Sequence, residues 1–372
     1  MSGIAIGWMQ IVVDIGGIMG LTTTALFLAF VLFGQRLQYR MTLGGIRRSI
    51  DRLDVMSAKA RKETIDYLTD TGRAQGDVTG RVNQLMDYVT IMPVDLDPTG
   101  IVPKIEHIAN TGDERLREEV SGMLRDADPV SISIAQNLVE LSSALNMMHK
   151  VVRHFYITGV KTKSLATLSQ LQMVMPMVLQ QASTMEKAVL SIKLGQPVGD
   201  GIGPLVASKF IGKTTQESIA RDTTLSTVEY RGRTLYIVKA EGPTGYVGQP
   251  GVAIRKVVED MRVPLNGIIM VDAALKLEGE KTGEVAEGVG AAIGGYGVEK
   301  FQIEEVASEH KIPLYAILVK ESDLEVITTM KQEIVDAIPK VTGIISKIID
   351  QRTKEGEKVL LAGIGNTLGI GQ

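Results

Sequence analysis

Cysteine is absent from this sequence of 372 residues, and aromatic residues make up only 4% of it. Without cysteine, the chain forms no disulfide, no thiolate nucleophile and no zinc–sulfur site. The presence of 17 methionines and one tryptophan predicts a core of aliphatic and flexible side chains. The formal net charge is −3, so the chain lacks the basic excess typical of nucleic-acid-binding proteins, and we expect no nucleic-acid partner.

Histidine is also scarce, and no spacing of histidines suits a metal. The four histidines are His107, His149, His154 and His310. His149 and His154 are separated so that they fall on different faces of a helix. The glycine clusters at 288–295 and 363–371 miss the dinucleotide-binding spacing by one residue, and no phosphate-loop motif occurs. We therefore predict neither a metal nor a cofactor.

The N-terminal region contains a long uncharged run, Ile15–Gly34. About 20 residues at a rise of 1.5 Å each cross a hydrocarbon core of roughly 30 Å. No lysine or arginine precedes the run, whereas five arginines follow it between positions 36 and 52. By the positive-inside rule this pattern predicts a transmembrane anchor at residues 1–36, in contact with the lipid bilayer, with the N-terminus outside the cell and the remainder cytoplasmic. A buried core helix is the alternative.

Residues 37–195 have the periodicity of helices. Ile46, Ile50 and Leu53 recur at intervals of three and four residues, as in an amphipathic helix. Three further helices are predicted at 101–128, 130–157 and 164–194. We expect a helical domain that serves as a stalk or as an oligomerisation surface, and a homo-oligomer is one expected assembly.

The pattern changes after residue 196. Residues 227–240 alternate around Arg231-Gly232, which predicts a β-hairpin. Continuous apolar runs, typical of strands buried on both faces, lie at 267–275, 312–320 and 358–365. Helical segments separate these runs, so residues 196–372 are predicted to form a glycine-rich α/β domain with a mostly parallel sheet.

Two aspartates lie where such a domain binds ligands. Asp200 lies in GDGIGPLV (199–206), where the glycines let a ligand or a peptide backbone approach closely. Asp272 closes the apolar stretch IIMV, and open α/β sheets bind ligands beyond the carboxyl ends of their strands. A helix cap or a turn is the alternative role for Asp272.

The sequence resembles two known families. The whole chain resembles an uncharacterised archaeal family of membrane-anchored proteins through GIGNTLGIGQ (363–372) and the run at 272–295, and that family implies no function. Residues 197–327 resemble the germination protease of spore-forming bacteria, whose phosphorylase/hydrolase-like fold is shared with hydrogenase-maturation endopeptidases. The matching blocks are, in order, GDGIGPLV, GPTGYVGQPGVAIRKVVEDM, IIMVDAAL, and GGYGVEK followed by IPLYAILVK.

The second resemblance implies that Asp200 and Asp272 take the places of the protease's two functional aspartates. In the protease, a strand ending in G-x-G-N directly precedes the first aspartate. Here the matching motif is Gly363–Asn366, near the end of the sequence. Our hypothesis is a circularly permuted domain in which Asn366 lies beside Asp200. The nickel-binding histidine of the endopeptidases has no counterpart in this sequence.

The sequence therefore predicts a pair of carboxyl groups that hydrolyses a peptide bond. An ionised aspartate activates a water molecule while its protonated partner polarises the carbonyl group. We expect Asp200 and Asp272 to be the catalytic residues of an aspartate-dependent endopeptidase. The expected substrate-binding residues are Gly199, Gly201, Gly295 and Asn366. The alternative is a catalytically inactive, membrane-tethered module that binds a ligand or scaffolds an unknown peptide or protein.

Overall fold

The computed structural model describes residues 2–71, 74–88, 100–124, 126–295 and 297–371. Up to residue 193, the regular secondary structure of these residues is helical. The helices are α1 (Ser2–Asp66), α2 (Val78–Met86), α3 (Ile101–Met123), α4 (Pro129–Lys161) and α5 (Leu165–Lys193), with a π-helical turn at Tyr67–Thr71. Helices α3, α4 and α5 confirm the three that periodicity predicts after residue 100, with ends that differ by a few residues.

The predicted N-terminal anchor is wrong. Residues 15–34 belong to α1, which does not end after the apolar run but continues through the arginines to Asp66. Within the residues that the structure describes, no helix combines the length and the apolar character that crossing a bilayer requires. The predicted single-pass arrangement and bilayer contact depended on that span and are corrected with it.

The chain divides into two compact units, the first comprising residues 1–54 and 148–179. In this unit the predicted amphipathic face of α1 is confirmed. Ile46, Ile50 and Leu53 are all buried, because their spacing places them on one side of the helix. Several apolar side chains of α4 and α5 in this unit are exposed instead.

The second unit comprises residues 55–147 and 180–372 and contains the whole sheet. In its helical part, the buried hydroxyl groups of Thr64 and Ser142 lie 2.8 Å apart. Their mutual hydrogen bond meets the need of buried polar groups for a partner. The hydroxyl of Thr64 also donates to the carbonyl of Leu138 at 3.2 Å, so these hydrogen bonds join the end of α1 to α4 within this unit.

Strands and helices alternate after α5. The strands are β1 (Glu217–Ala220), β2 (Thr223–Tyr230), β3 (Arg233–Ala240), β4 (Leu265–Leu275), β5 (Val285–Val289), β6 (Leu314–Glu321) and β7 (Lys358–Gly363). The helices are α6 (Ile202–Ile211), α7 (Pro250–Arg255), α8 (Val298–Glu309), α9 (Asp323–Ile327), α10 (Gln332–Val335) and α11 (Ile338–Arg352). A 3₁₀ turn at Gly199–Gly201 precedes α6, and a π-helical turn at Lys256–Asp260 follows α7.

The strands form one sheet in the order β1-β2-β3-β7-β4-β6-β5. Strand β7 is parallel to β3 and β4, and β4 is parallel to β6, whereas the pairs β1–β2, β2–β3 and β5–β6 are antiparallel. The sheet is therefore mixed, and the prediction of a mostly parallel sheet is wrong. At one edge, short turns return the chain from β1 to β2 and from β2 to β3, which makes these pairs antiparallel. At the other edge, the chain passes from β5 through α8 to its antiparallel neighbour β6.

The predicted hairpin is confirmed as β2–β3. Tyr230 pairs with Arg233 across a two-residue turn. Arg231 and Gly232, the two turn residues, have φ angles of 53° and 72°. Positive φ at both positions matches the right-handed twist of the paired strands.

Helices cover both faces of the sheet, which explains the continuous apolar runs. Along β4, Ile268 and Met270 belong to the core beneath α7 and α8. Ile269 and Val271 alternate with them and belong to the core beneath α6 and α11. Strand β7 alternates between the two cores in the same way.

Helix α6 packs very close to the centre of the sheet. Gly203 faces the carbonyl oxygens of Ile364 and Val271, and a Cβ at this position would overlap both. Gly363 approaches the backbone of Gly203 in turn. Because glycine has no side chain at these positions, the helix can sit against the strands. This contact places the turn before α6 beside Val271 of β4 and the carboxyl end of β7.

Candidate active site

Asp200 lies in the turn Gly199–Gly201, immediately before α6. The N–H of Gly201 closes the turn by donating to the carbonyl of Val198 at 2.9 Å. Both glycines are buried, and a Cβ at Gly201 would lie 2.9 Å from the carbonyl oxygen of Asn366. Asp200 is the partly exposed member of the turn, and it lines a cavity.

The chain that follows β7 returns to this turn. The backbone N–H of Asn366 donates to Oδ2 of Asp200 at 2.7 Å. Gly365 has a φ of +126°, and a Cβ there would overlap the carbonyl oxygen of Asp200. The side-chain amide of Asn366 holds the loop in place, because Nδ2 donates to the carbonyl of Gly245 and Oδ1 accepts from the N–H of Leu368, each at 2.7 Å. The loop therefore presents an N–H group to the carboxylate.

Asp272 lies inside β4 and not at its end, which corrects its predicted position. Strand β4 pairs with β7 only as far as Val271, and from Asp272 to Leu275 it pairs with β6 alone. Asp272 thus occupies the level at which β7 leaves the sheet. The side chain is buried, and its Oδ1 accepts a hydrogen bond of 2.8 Å from the N–H of Ala273.

Asp200 and Asp272 line one cavity of about 660 Å³. This volume falls within the roughly 300–1,000 Å³ of ordinary ligand sites. The apolar walls of the cavity include Ala273, Ala274, Leu275, Ile293, Val298 and Ile364. The glycine loop before α8 forms another wall, in which Gly295 has a φ of +87°.

Helix α3 supplies a polar edge to the cavity, which includes Glu106, Asn110 and Asp113. Arg221, in the turn between β1 and β2, donates to Oδ1 of Asn110 at 2.9 Å and to Oε1 of Glu114 at 3.2 Å. This edge is not among the residues predicted from the sequence, because α3 belongs to the region predicted to be a separate helical domain. Nothing in its helical pattern signals contact with a distant sheet.

Glu299, at the start of α8, also lines the cavity. Its carboxylate accepts a hydrogen bond from the N–H of Gly251, in the first turn of α7. Burial raises the pKa of Glu299 to about 6, and the charge of Glu106 adds to this effect, while Gly251 and Arg221 oppose it. Glu299 therefore ties the two helices together at the rim of the cavity.

Asp200 and Asp272 titrate as a coupled pair. Burial first, and then the charge of Asp200, raise the pKa of Asp272 to about 8, against the hydrogen bond from Ala273. Burial also raises the pKa of Asp200, but the N–H of Asn366 favours its ionised form. The start of α6 favours a negative charge in the same place. Of the two carboxyl groups, Asp200 is accordingly the one that ionises more readily, and Asp272 is the one that keeps its proton to higher pH.

A third carboxyl group, that of Glu321, lies beside this pair. Glu321 is the last residue of β6, pairs with Leu275 of β4 and is fully buried. Burial raises the pKa of Glu321 to about 8, with further contributions from Asp200 and Glu325. Glu321 is not among the site residues predicted from the sequence, although it follows an apolar run of the sequence as Asp272 does.

Of the four predicted substrate-binding residues, Gly295 lines the cavity together with the two aspartates. The other three contact Asp200 or support its turn. Gly199 and Gly201 are buried beside Asp200 and support its turn. Asn366 holds Asp200 through its backbone and lines a neighbouring cavity of about 310 Å³.

Among the described residues, the carboxyl groups of the site do not bring three potential metal-ligand atoms within 4.8 Å of one another. The side chains that do so are Glu259, Glu309 and His310, and all three are exposed. They lie towards the end of α8 that is opposite to the cavity, because the cavity is lined by residues at the start of that helix. Exposed acidic groups alone do not define a cation site, and we assign none.

The chain matches two models of one protein family. Residues 20–195 match the N-terminal domain of DUF1512, described as a protein of unknown function, and residues 198–371 match the DUF1512 C-terminal domain, described as a domain of unknown function. The chain belongs to the DUF1512 family. No curated protein and no solved structure matched the sequence. These comparisons give no support to an archaeal origin, to the resemblance to the germination protease or to a permuted form of its fold.

Proposed function

We propose that this protein is a hydrolase whose reaction takes place between Asp200 and Asp272. The observation that carries the proposal is a single cavity that contains two coupled carboxyl groups in different environments. Asp200 accepts the N–H of Asn366, which favours the anion, whereas burial keeps Asp272 protonated. Such a pair supplies a base and an acid at the same pH.

The chemistry follows from these protonation states. Asp200 takes a proton from a water molecule while the water oxygen attacks the carbonyl carbon, and Asp272 gives its proton to the carbonyl oxygen. In the resulting tetrahedral intermediate, Asp272 takes back a hydroxyl proton as the C=O bond reforms. Asp200 gives its proton to the leaving nitrogen as the C–N bond breaks, and both carboxyl groups return to their starting states.

The lining of the cavity supports a peptide or another amide as the substrate. Its apolar walls suit an uncharged side chain. The charged groups of the polar edge are mainly acidic, with Glu106, Asp113 and Glu299 around the cation Arg221. This charge distribution repels acidic ligands, so we propose a neutral or basic peptide as the substrate class.

The test is cleavage of a peptide library by the full-length protein, read by mass spectrometry. The variants Asp200→Asn and Asp272→Asn keep the shape of the side chain but cannot exchange the proton, so each is expected to lose about 10²–10⁴-fold in rate. Asp260 is an exposed aspartate in the turn after α7. Asp260→Asn is therefore the matched control, and it is expected to cleave at the parent rate.

Two outcomes reject the proposal. Cleavage that survives in both Asp200→Asn and Asp272→Asn places the chemistry at another site. Peptide binding by the parent protein without turnover also rejects a hydrolase, and it leaves a catalytically inactive binding module as the function of the cavity.

A further inference from the structure

A carboxyl group that the proposed reaction does not use lies behind Asp200. Glu321 is 0% exposed, and among the described residues neither of its carboxyl oxygens has a hydrogen-bond partner. Oε2 of Glu321 packs against Gly199 so closely that a Cβ on that glycine would overlap it. A buried charge without a partner is strongly destabilising, so this environment favours the neutral acid.

The charged groups that face Glu321 come from three elements, and all are acidic. Asp200 approaches from the turn before α6, Glu325 from α9 and Asp272 from β4. Although burial opposes the ionisation of Glu325, hydrogen bonds lower its pKa to about 2. The donors of these hydrogen bonds are Lys331, Ser322 and Thr282. Glu321 thus lies next to a permanent anion, and no cation acts on it within the described chain.

We infer that Glu321 is a positioning residue for Asp200, and that its buried carboxyl group holds a proton so that Asp200 is the single ionised member of the set Asp200, Asp272 and Glu321. A charge on Glu321 would act directly across Gly199 on the turn that carries Asp200. The neutral acid fills the same space without repelling the base. Its catalytic consequence rests on the proposed function, but its protonation state does not.

The protonation state can be measured without a substrate. Infrared difference spectroscopy detects the carbonyl stretch of protonated carboxylic acids, and labelling with ¹³C-glutamate moves the band of Glu321 without moving that of Asp272. Burial also raises the pKa of Glu140 to about 7, so the full-length protein is expected to show more than one labelled glutamate component at neutral pH. The band of Glu321 is the component that disappears at a midpoint of about pH 8. Glu321→Gln is expected to remove this band. Glu278→Gln, at an exposed glutamate after β4, is expected to keep it.

The Asp200→Asn variant tests the coupling. Because the charge of Asp200 raises the pKa of Glu321, its removal is expected to move the midpoint of the glutamate band to lower pH. An unchanged midpoint contradicts the inference. The absence of a labelled band in the parent protein at neutral pH also contradicts it, and this measurement does not require any variant to fold.

If the protein cleaves peptides, the dependence of kcat/KM on pH distinguishes a positioning role of Glu321 from a role in packing alone. Glu321→Gln removes the charge that Glu321 carries at alkaline pH, which opposes the ionisation of Asp272. The alkaline limb of the pH–rate profile is therefore expected to move to lower pH by about half a unit or more. At neutral pH, kcat/KM is expected to stay within about threefold of the parent value, because glutamine replaces the neutral acid. A purely structural Glu321 leaves the limb unchanged. Conversely, if Glu321 is protonated but the protein cleaves no peptide, the proposed hydrolase function is rejected. The inference that Glu321 holds a proton is then still supported.

Discussion

The backbone N–H of Asn366 donates a hydrogen bond of 2.7 Å to Oδ2 of Asp200, across 166 positions of sequence. The contact joins the loop that follows β7 to the turn that precedes α6. Hydrogen bonding to the charged form of a carboxyl group favours that form. The fold therefore favours ionisation of Asp200 over ionisation of Asp272.

The side chain of Asn366 is expected to matter for stability as well. Asn366→Ala removes two hydrogen bonds of 2.7 Å and leaves the carbonyl of Gly245 and the N–H of Leu368 without these partners. The expected cost is about 1–3 kcal/mol of unfolding free energy, measured by urea denaturation. Gln351→Ala, at an exposed position in α11, is the control and should stay within about 0.5 kcal/mol. Equal stability of the two variants would contradict a structural role for the amide.

The sequence allows Asp200 and Asp272 to be found because each carboxylate interrupts a pattern, one among glycines and one within an apolar strand. It does not show that Glu106 and Asn110 reach the same cavity, since that depends on how α3 packs against a sheet distant in sequence. The sequence also does not predict that the sheet is mixed. Strands β1 and β5 are short and largely exposed edges, so no apolar run marks them.

Asp272→Asn is expected to change how stability depends on pH. In the folded protein the pKa of Asp272 is raised to about 8, whereas an unfolded aspartate has a pKa of about 3.9. Between these values the folded state binds a proton that the unfolded state has lost, so stability falls as pH rises through this window. Asparagine removes this dependence.

The variant should therefore gain stability relative to the parent as the pH rises from about 4 to about 8, by an amount on the order of 1–3 kcal/mol. Chemical denaturation at both ends of the window measures the difference. Asp260→Asn, at an exposed position, should show no such trend. A parallel pH dependence in parent and Asp272→Asn proteins would mean that Asp272 is already ionised at neutral pH.

Two glycine-to-alanine changes test the close packing of α6. At Gly203 a Cβ would overlap the carbonyl oxygens of Ile364 and Val271, so Gly203→Ala is expected to cost about 1–3 kcal/mol through overpacking. Gly343 lies in α11, and a Cβ there meets nothing within 4 Å. Gly343→Ala is expected to stabilise the protein by up to about 1 kcal/mol, because alanine favours the helix. Thermal unfolding of both variants checks the contrast, and equal changes in the two melting temperatures would contradict close packing as the cause of the loss at Gly203.

The attachment of α3 to the sheet can be tested at Arg117. Its guanidinium group donates to both carboxylate oxygens of Asp222, at 2.9–3.2 Å, and lies 4.5 Å from the centre of the Tyr246 ring. Side-chain exposures of 39% and 17% make this pair better shielded from solvent than the exposed pair Lys300–Glu304, with 49% and 48%.

Arg117→Gln is therefore expected to cost about 1–3 kcal/mol, and Arg117→Lys to recover part of the loss, since lysine keeps the charge but not the planar fork. Lys300→Gln is the control and should cost less than about 0.5 kcal/mol. Because α3 carries the polar edge of the cavity, Arg117→Gln should also weaken peptide binding or cleavage at temperatures where the protein remains folded. Loss of stability without any effect on the site would show that α3 supports the fold but does not shape the cavity.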